Sequence, residues 1–390
     1  MELSVQLRKQ LNTFTLNVRM NFHTDRAAIL GASGSGKSMT LRMIAGIMTP
    51  DEGSIRCKDG ETERTLYDSA SKICLKPAQR SCGYLFQNYA LFPNLTVEQN
   101  IACGIRGRRI RKRETDALLE RFFLTELKDR YPSQLSGGQQ QRTALARMIA
   151  PHPEILLLDE PFSALDAFQK DQVERQMEDF LRDYRGMVIL VTHDRDEAFR
   201  FAKEIAVFDR GHVDAAGTRE DVFSHPVTVA AARLSGCKNF SRAFLRDGSV
   251  LELPDWGIAF PLPKPPEQPF DTVGYRAHDF IPVWEEELTA LSPGSQMPAS
   301  YSHPAREPVL QGAGPFVSES FLPVQVRSIS ELQFEKQIYL DVPGEEPVTW
   351  SVQRGQWADL AQKGMPAALR LDPGKLLFLR MTPGSVGHLS

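Results

Sequence analysis

The sequence predicts an α/β domain over residues 1–232, followed by a small all-β domain over residues 233–390. In the first part, apolar runs typical of buried parallel strands alternate with amphipathic helix patterns, which indicates a sheet with helices on its faces. After residue 232 the apolar runs are short and separated by Pro and Gly, as in small β domains. A chain of 390 residues accommodates both domains.

The elements of the first domain follow from periodicity. Apolar and polar residues alternate from Phe14 to Met20, which predicts a strand with Phe14 in the core. Helical spacing predicts one helix that Thr49-Pro50 ends and another around Val173–Leu181. A mainly helical pattern over about residues 88–150 predicts an inserted helical subdomain. The predicted buried parallel strands are Ala27–Leu30, Ile155–Leu158, Val188–Val191 and Ile205–Phe208.

A basic cluster lies inside the predicted helical subdomain. A patch for the phosphate backbone of a nucleic acid is one interpretation. We favour a solvated loop leading into a helix around Glu114–Phe123, because the net charge of the chain is −3. No nucleic-acid partner is therefore expected. The cluster consists of Arg106, Arg108, Arg109, Arg111, Lys112 and Arg113.

In the second domain, residues 285–315 are rich in Pro, Ser, Gly and Ala, which predicts a long loop. Short apolar runs at Val324–Val326, Ile338–Leu340 and Leu376–Phe378 predict strands. The five dispersed cysteines indicate reduced thiols in a cytosol, not a disulfide framework or a zinc site. No apolar run approaches the length of a bilayer span, and the strand-like N-terminus predicts no export signal.

The most informative motif follows the strand Ala27–Leu30. It fits G-x-x-x-x-G-K-[ST], the phosphate-binding loop of nucleotide triphosphatases. Glycines let backbone N–H groups converge on a phosphate, and the next helix directs its positive end at the same anion. Lys37 is predicted to contact the β- and γ-phosphates and Ser38 to bind Mg²⁺. The motif is Gly31, Ala32, Ser33, Gly34, Ser35, Gly36, Lys37 and Ser38, and Met39 continues it into the helix.

Two acids end the strand Ile155–Leu158. A carboxylate at the C-terminal end of a parallel strand beside a phosphate loop is suited to hold Mg²⁺, which predicts this role for Asp159. The next acid, Glu160, can polarise an attacking water.

A second anion-binding helix start is predicted at Ser136. This serine is a good N-cap, and the glycines after it expose helix N–H groups. With its neighbours it reads Leu135-Ser136-Gly137-Gly138-Gln139, the signature sequence of ATP-binding cassette (ABC) ATPases. Other motifs resemble this family in order and spacing: the Q-loop glutamine Gln87, the D-loop at Ser163–Asp166 and the switch histidine His193. The resemblance covers residues 1 to about 225.

The resemblance implies a P-loop nucleotide triphosphatase fold and a homodimer with two ATP molecules sandwiched at its interface. Each nucleotide lies between the phosphate loop of one chain and Ser136-Gly137-Gly138 of the other. Ser38, Gln87 and Asp159 are then the Mg²⁺ ligands, and Glu160, His193 and Gln87 the catalytic residues. Asp166 connects the two sites. Family members usually stack adenine on an aromatic residue before the loop, and we assign none here.

Within the family the chain most resembles ATPase subunits of molybdate and sulfate importers, in Leu75–Phe92 and Leu234–Phe240. Gly274–Asp279 resembles the small oligonucleotide-fold-like (TOBE or Mop-type) domain of these subunits. The implied partners are membrane permease subunits and, indirectly, a substrate-binding protein, at the cytoplasmic face of the membrane. Alternatives are an importer of iron, polyamine or sugar, and a soluble ABC ATPase outside transport. The C-terminal domain is either a sensor of the transported oxyanion or a plain dimerisation module.

Overall fold

The computed structural model describes residues 1–11, 14–105, 107–163, 167–182, 184–291, 316–317 and 320–381. The chain divides into two compact units, Met1–Val222 and Phe223–Ser390. Residues 223–232, which the sequence assigned to the first domain, group with the second unit. No helix in the described part of the chain is long and apolar enough to span a membrane.

The first unit is a sheet with helices. Its strands are β1 (Glu2–Gln10), β2 (Thr15–Phe22), β3 (Arg26–Gly31), β4 (Glu52–Asp59), β5 (Thr62–Asp68), β6 (Ile73–Cys74), β7 (Cys82–Leu85), β8 (Ile155–Asp159), β9 (Met187–Thr192), β10 (Glu204–Asp209) and β11 (His212–Thr218). Its helices are α1 (Lys37–Ala45), α2 (Val97–Ala102), α3 (Arg108–Arg121), α4 (Gly137–Ile149), α5 (Ala167–Arg182), α6 (Arg195–Phe201) and α7 (Arg219–Ser224), the last crossing into the second unit.

The strands form one sheet in the order β6-β5-β4-β1-β2-β11-β10-β3-β9-β8-β7. Neighbours from β10 to β7 pair in parallel, and these strands include the four that the apolar runs predicted. Every residue of β8 and β9 is buried, as expected for a parallel strand covered on both faces. The carboxyl ends of β3, β8 and β9 therefore meet at one edge of the sheet.

The helical insertion differs from the prediction at its basic cluster. Helix α3 begins at Arg108, so the basic residues from 108 to 113 lie in its first turns and not in a loop before Glu114. Lys and Arg are good helix formers, and Gly107 adopts the positive φ of 103° at the N-cap. Arg106 lies outside the described residues.

Phe14 differs from its prediction in part. It precedes β2 and is half-buried, but it packs against the core that Leu16, Val18 and Met20 fill as expected. The chain turns between β1 and β2, where the Leu11 N–H donates to the Phe14 carbonyl at 3.0 Å. The turn therefore includes Phe14, and strand β2 begins one residue later, at Thr15.

Arg80, which follows α1 later in the same chain, caps the C-terminal end of this helix. The residue is 1% exposed. It donates to the carbonyls of Met43 at 2.7 Å and Ile44 at 2.9 Å, and to that of Leu75 at 2.9 Å. A cation at a helix C-terminus also complements the helix dipole.

We expect Arg80→Ala to lower the free energy of unfolding by about 2–4 kcal/mol, because it removes charged donors from buried carbonyls. Urea unfolding of the full chain measures this. The matched control is Arg19→Ala on the exposed face of β2, expected to stay within about 0.5 kcal/mol of the original chain. Equal effects of both variants would show that the guanidinium does not stabilise α1.

The second unit is mainly β. Its strands are β12 (Asn239–Arg242), β13 (Phe244–Arg246), β14 (Val250–Leu253), β15 (Ile258–Pro261), β16 (Thr272–Tyr275), β17 (Ile281–Val283), β18 (Phe316–Val317), β19 (Phe321–Pro323), β20 (Gln325–Glu331), β21 (Glu335–Asp341), β22 (Val348–Gln353), β23 (Ala368–Arg370) and β24 (Leu377–Leu379). Its helices are α8 (Val229–Leu234), α9 (Glu285–Leu291) and α10 (Trp357–Lys363).

These strands form small sheets, β12-β16-β24, β13-β14-β15-β18, β17-β23-β19 and β20-β21-β22. Trp256, Tyr275 and Trp350 lie in their shared core. The loop predicted over 285–315 is wrong in its first seven residues, which form α9. Residues 285–287 are three glutamates at a helix N-terminus, where negative charge is favourable. Residues 292–315 lie outside the described part.

Candidate nucleotide-binding site

The phosphate-binding loop Gly31–Ser38 connects β3 to α1. Gly36 has a φ of 101°, and a Cβ there would lie 2.3 Å from Leu16 Cδ1. A Cβ on Gly31 would lie 2.4 Å from the Phe208 carbonyl oxygen. Both positions therefore require glycine. Ser35 Oγ is buried and has no hydrogen-bond partner among the residues that the structure describes, whereas Ala32, Ser33 and Gly34 are exposed. The loop thus combines an exposed backbone with an unsatisfied polar atom, which suits a phosphate ligand.

Lys37 is 3% exposed and directs its ammonium back onto the loop. Nζ donates to the carbonyls of Gly31 at 2.9 Å and Ala32 at 2.8 Å, and lies 3.9 Å from Glu160 Oε1. Burial lowers the pKa of Lys37, and the carboxylates of Glu160 and Asp159 oppose this shift. A buried cation is thus held at the mouth of the loop, where an anion would bind.

Asp159 ends β8 and is 3% exposed. Its Oδ1 accepts a hydrogen bond from Ser38 Oγ at 2.6 Å, and its Oδ2 accepts one from Tyr84 Oη at 2.6 Å. Burial and the hydrogen bond to Asp159 raise the pKa of Tyr84, so its phenol remains a donor. The sequence predicted the Ser38–Asp159 pair but missed Tyr84.

Glu160 follows Asp159 with a φ of 45°, a left-handed conformation that is strained for a glutamate. Its N–H donates to the Val191 carbonyl at 3.0 Å. Its carboxylate lies between two basic side chains, with Oε1 3.9 Å from Lys37 Nζ and Oε2 3.3 Å from His193 Nδ1. The His193 side chain is half-exposed. Lys37, Glu160 and His193 thus meet beside Asp159.

A charged network fixes the segment after His193. Asp194 caps α6 by accepting from the N–H groups of Asp196 and Glu197. Lys170, on α5, places its ammonium 2.6 Å from Asp194 Oδ2 and 2.6 Å from Glu197 Oε1. Burial lowers the pKa of Lys170, but these hydrogen bonds outweigh it and raise the pKa to about 12. The sequence did not single out Lys170.

Gln87 is hydrogen-bonded to Ser163 and not to the cation ligands predicted with it, among the described residues. Its amide donates to Ser163 Oγ at 3.2 Å, and Ser163 Oγ donates to the Glu160 carbonyl at 2.9 Å. No hydrogen bond of the described residues joins Gln87 to Ser38 or Asp159. The role of Gln87 as a ligand stays a prediction.

The signature segment begins α4. Ser136 Oγ accepts from the Gln139 N–H at 3.4 Å, and Gln139 Oε1 accepts from the Ser136 N–H at 2.9 Å, so the two residues form a capping box. Ser136 and Gly137 are exposed, and Gly138 is half-buried. Among the described hydrogen bonds and ion pairs, none joins this segment to the phosphate loop of the same chain. Asp166 lies outside the described residues.

Phe14 lies beside the phosphate loop. A Cβ on Gly211 would approach its ring to 2.7 Å, and a Cβ on Gly36 would approach it to 3.8 Å. The ring is therefore held against two glycine backbones, one of them in the loop. The sequence predicted the packing of Phe14 against the core but not its proximity to the phosphate loop.

The donor set indicates which cation it can hold. The described residues contain no cluster of three or more His, Cys, Asp or Glu side chains that could bind a metal alone. Ser38 and Asp159 instead provide two adjacent oxygens. Mg²⁺ commonly binds through one or two protein oxygens together with substrate phosphates, so the pair fits this cation.

Comparison with known proteins agrees with this geometry. Residues 15–163 match the family model described as ABC transporter. A sulfate/thiosulfate import ATP-binding protein of Mesostigma viride is 44% identical over 54% of this chain and 59% of its own length. A molybdenum import ATP-binding protein of Mannheimia succiniciproducens is 38% identical over 58% and 63%, respectively. A sulfate/thiosulfate import ATP-binding protein of Rhizobium meliloti is 38% identical over 64% of this chain and 69% of its own length.

The chain belongs to the ABC transporter family. The resemblance that the five motifs indicated is thereby confirmed, as is the α/β P-loop fold followed by a β-rich part. The chain spans about three fifths of the length of the first two ABC relatives. ABC relatives of 39% identity also include a putrescine transport protein of Escherichia coli and an Fe(3+) import protein of Rhizobium meliloti.

Proposed function

We propose that the chain is the ATP-hydrolysing subunit of an ABC importer for an oxyanion such as molybdate, tungstate or sulfate. The observation that carries the ATPase proposal is the meeting of Lys37, Glu160 and His193 beside the Ser38–Asp159 pair. The buried lysine ammonium, a carboxylate and an imidazole therefore lie close together at the start of α1, where a phosphate can bind.

The proposed roles follow from the chemistry of each side chain. The N–H groups of the loop and Lys37 hold the phosphates, and the Phe14 ring offers a face to the nucleotide base. Ser38 and Asp159 hold Mg²⁺, which supplies charge neutralisation on the phosphates when bound. Glu160 orients the attacking water and accepts its proton, and His193 contacts the γ-phosphate. Gln87, which is hydrogen-bonded to Ser163, is the remaining proposed Mg²⁺ ligand and catalytic residue.

The exposed signature segment supports a dimeric arrangement. Ser136 and Gly137 are exposed at a capped helix start, and among the described residues no hydrogen bond or ion pair joins them to the loop of their own chain. In the proposed homodimer, Ser136, Gly137, Gly138 and Gln139 bind the nucleotide of the partner, and Asp166 connects the two sites. Permease subunits at the cytoplasmic face of the membrane complete the transporter, and a substrate-binding protein delivers the oxyanion to it.

Uptake measurements in a strain that lacks this chain test the transport proposal. Uptake of labelled molybdate or sulfate should fall, and the original chain should restore it while Glu160→Gln should not. Normal oxyanion uptake with lost putrescine or Fe(3+) uptake would favour the alternative that the relatives of 39% identity suggest. Normal uptake of all of them would favour an ATPase outside transport.

We further propose that residues 233–390 sense the transported oxyanion. Molybdate, tungstate, sulfate and phosphate should each be tested for a thermal shift of the full chain. An anion at a hundred times its Kd adds about 2.7 kcal/mol to the free energy of unfolding. Each kcal/mol raises the Tm by roughly 2–4 °C. The shift should persist in Lys37→Ala, whose phosphate loop is altered. A shift that this variant abolishes, or none with any anion, would leave the dimerisation-module interpretation.

A further inference from the structure

Tyr84, which has no role in the proposed mechanism so far, contacts Asp159, one of the proposed cation ligands. It lies in β7, three residues before Gln87. Its hydroxyl holds Oδ2 of Asp159 at 2.6 Å, while the Ser38 hydroxyl holds Oδ1 at 2.6 Å. Each oxygen of this buried carboxylate is therefore bound by a different hydroxyl from a different element, and the torsion of the carboxylate is fixed from both sides.

The Tyr84 ring is itself held in place. Strand β7 pairs in parallel with β8, with Tyr84 opposite Leu157, two residues before Asp159. The ring also packs against Phe86 with centroids 4.5 Å apart. Phe86 directly precedes Gln87, so the same aromatic pair joins the Asp159 carboxylate to the Gln87 segment.

We propose that Tyr84 is a positioning residue for cation binding, which holds Oδ2 of Asp159 and leaves Oδ1 and the Ser38 hydroxyl as a fixed oxygen pair. This inference rests on the proposed function of that pair. Mg²⁺ demands near-ideal octahedral geometry, so a carboxylate free to rotate is a poorer ligand. The Ser38 hydroxyl donates its proton to Asp159 in a hydrogen bond, and the lone pairs of the hydroxyl oxygen remain available to bind the cation.

The opposite effect is also physically possible. A phenol that occupies Oδ2 competes with any cation that needs this oxygen, and its removal would then tighten cation binding. The two mechanisms differ in sign, so one substitution separates them. Tyr84→Phe removes the hydroxyl and keeps the ring that packs on Phe86.

The test measures the Kd of a fluorescent ATP analogue for the full chain, once with excess Mg²⁺ and once with EDTA. For Tyr84→Phe we expect an unchanged Kd in EDTA and a Kd about tenfold weaker with Mg²⁺, the effect of one hydrogen bond to a charged group. Binding of Mn²⁺ in the presence of the analogue, followed by electron paramagnetic resonance, should weaken in parallel. The matched control is Tyr89→Phe, which removes a buried hydroxyl for which the described part of the chain offers no hydrogen-bond partner.

Three results would overturn the inference: an unchanged Mg²⁺ dependence, a tighter one, or an equal loss of affinity with Mg²⁺ and with EDTA. The last would show that the hydroxyl supports the fold of the loop and not the cation. Failure of the original chain to bind the analogue in either condition would instead contradict the proposed nucleotide site itself.

Discussion

Glu160→Gln is expected to reduce ATP turnover by about 10²–10⁴-fold while ATP binding is preserved, because the amide keeps the shape of the side chain but cannot accept a proton. The side chain lies 3.3 Å from His193 and 3.9 Å from Lys37, so it can hold a water beside both. ATP should then accumulate in a dimer. Steady-state phosphate release and the mass of the protein in ATP by size-exclusion chromatography measure the two effects.

A matched control is available at the other end of the same strand. Glu154 directly precedes β8 and forms a surface ion pair with Arg64 at 2.6 Å. Glu154→Gln should leave turnover close to that of the original chain. Turnover of Glu160→Gln within about threefold of the original value would remove Glu160 from the catalytic role, since loss of a general base costs far more.

Ser136→Arg is expected to abolish hydrolysis without preventing ATP binding to the monomer. Its helix start is exposed and, in the proposed dimer, serves the nucleotide of the partner. The arginine would place a bulky side chain at the dimer contact. Filter binding of ATP at low protein concentration, together with phosphate release at high concentration, separates the two steps.

Two further variants sharpen this experiment. Ser133→Arg, an exposed serine three residues earlier, controls for the added charge and should hydrolyse ATP normally. A mixture of Ser136→Arg with Lys37→Ala forms dimers in which one composite site carries neither substitution, and ATP should be retained at that site. Loss of ATP binding by the Ser136→Arg monomer would contradict the sandwich arrangement.

The sequence predicted those parts of the site that depend on short motifs and on one rule of sheet geometry. The phosphate loop is continuous in the chain, and Asp159 and His193 follow apolar runs whose carboxyl ends must meet if the strands are parallel. Together with the family resemblance, this predicted one site that contains Ser38, Asp159, Glu160 and His193, and the structure places Ser38 near Asp159 and Glu160 near His193. Neither of these two pairs requires knowledge of side-chain packing to be predicted.

The missed residues depend on contacts between distant parts of the chain. Tyr84 reaches Asp159 across 75 residues, and Lys170 reaches Asp194 across 24. Alternation within a strand reports which face is buried, but not which polar group a tyrosine finds there. Phe14 was assigned to the strand because the alternating pattern continues one residue beyond it, into the turn, although the ring still packs against the core.

The hydrogen bonds from Lys37 to the carbonyls of Gly31 and Ala32 have a consequence for the speed of nucleotide capture. They close the loop on itself, so its ordering entropy is lost during folding and not at the encounter with ATP. A preorganised loop needs no slow rearrangement before it accepts a phosphate. The association rate constant should then be set by diffusion and by attraction to the buried charge, and the lifetime of the complex by its dissociation.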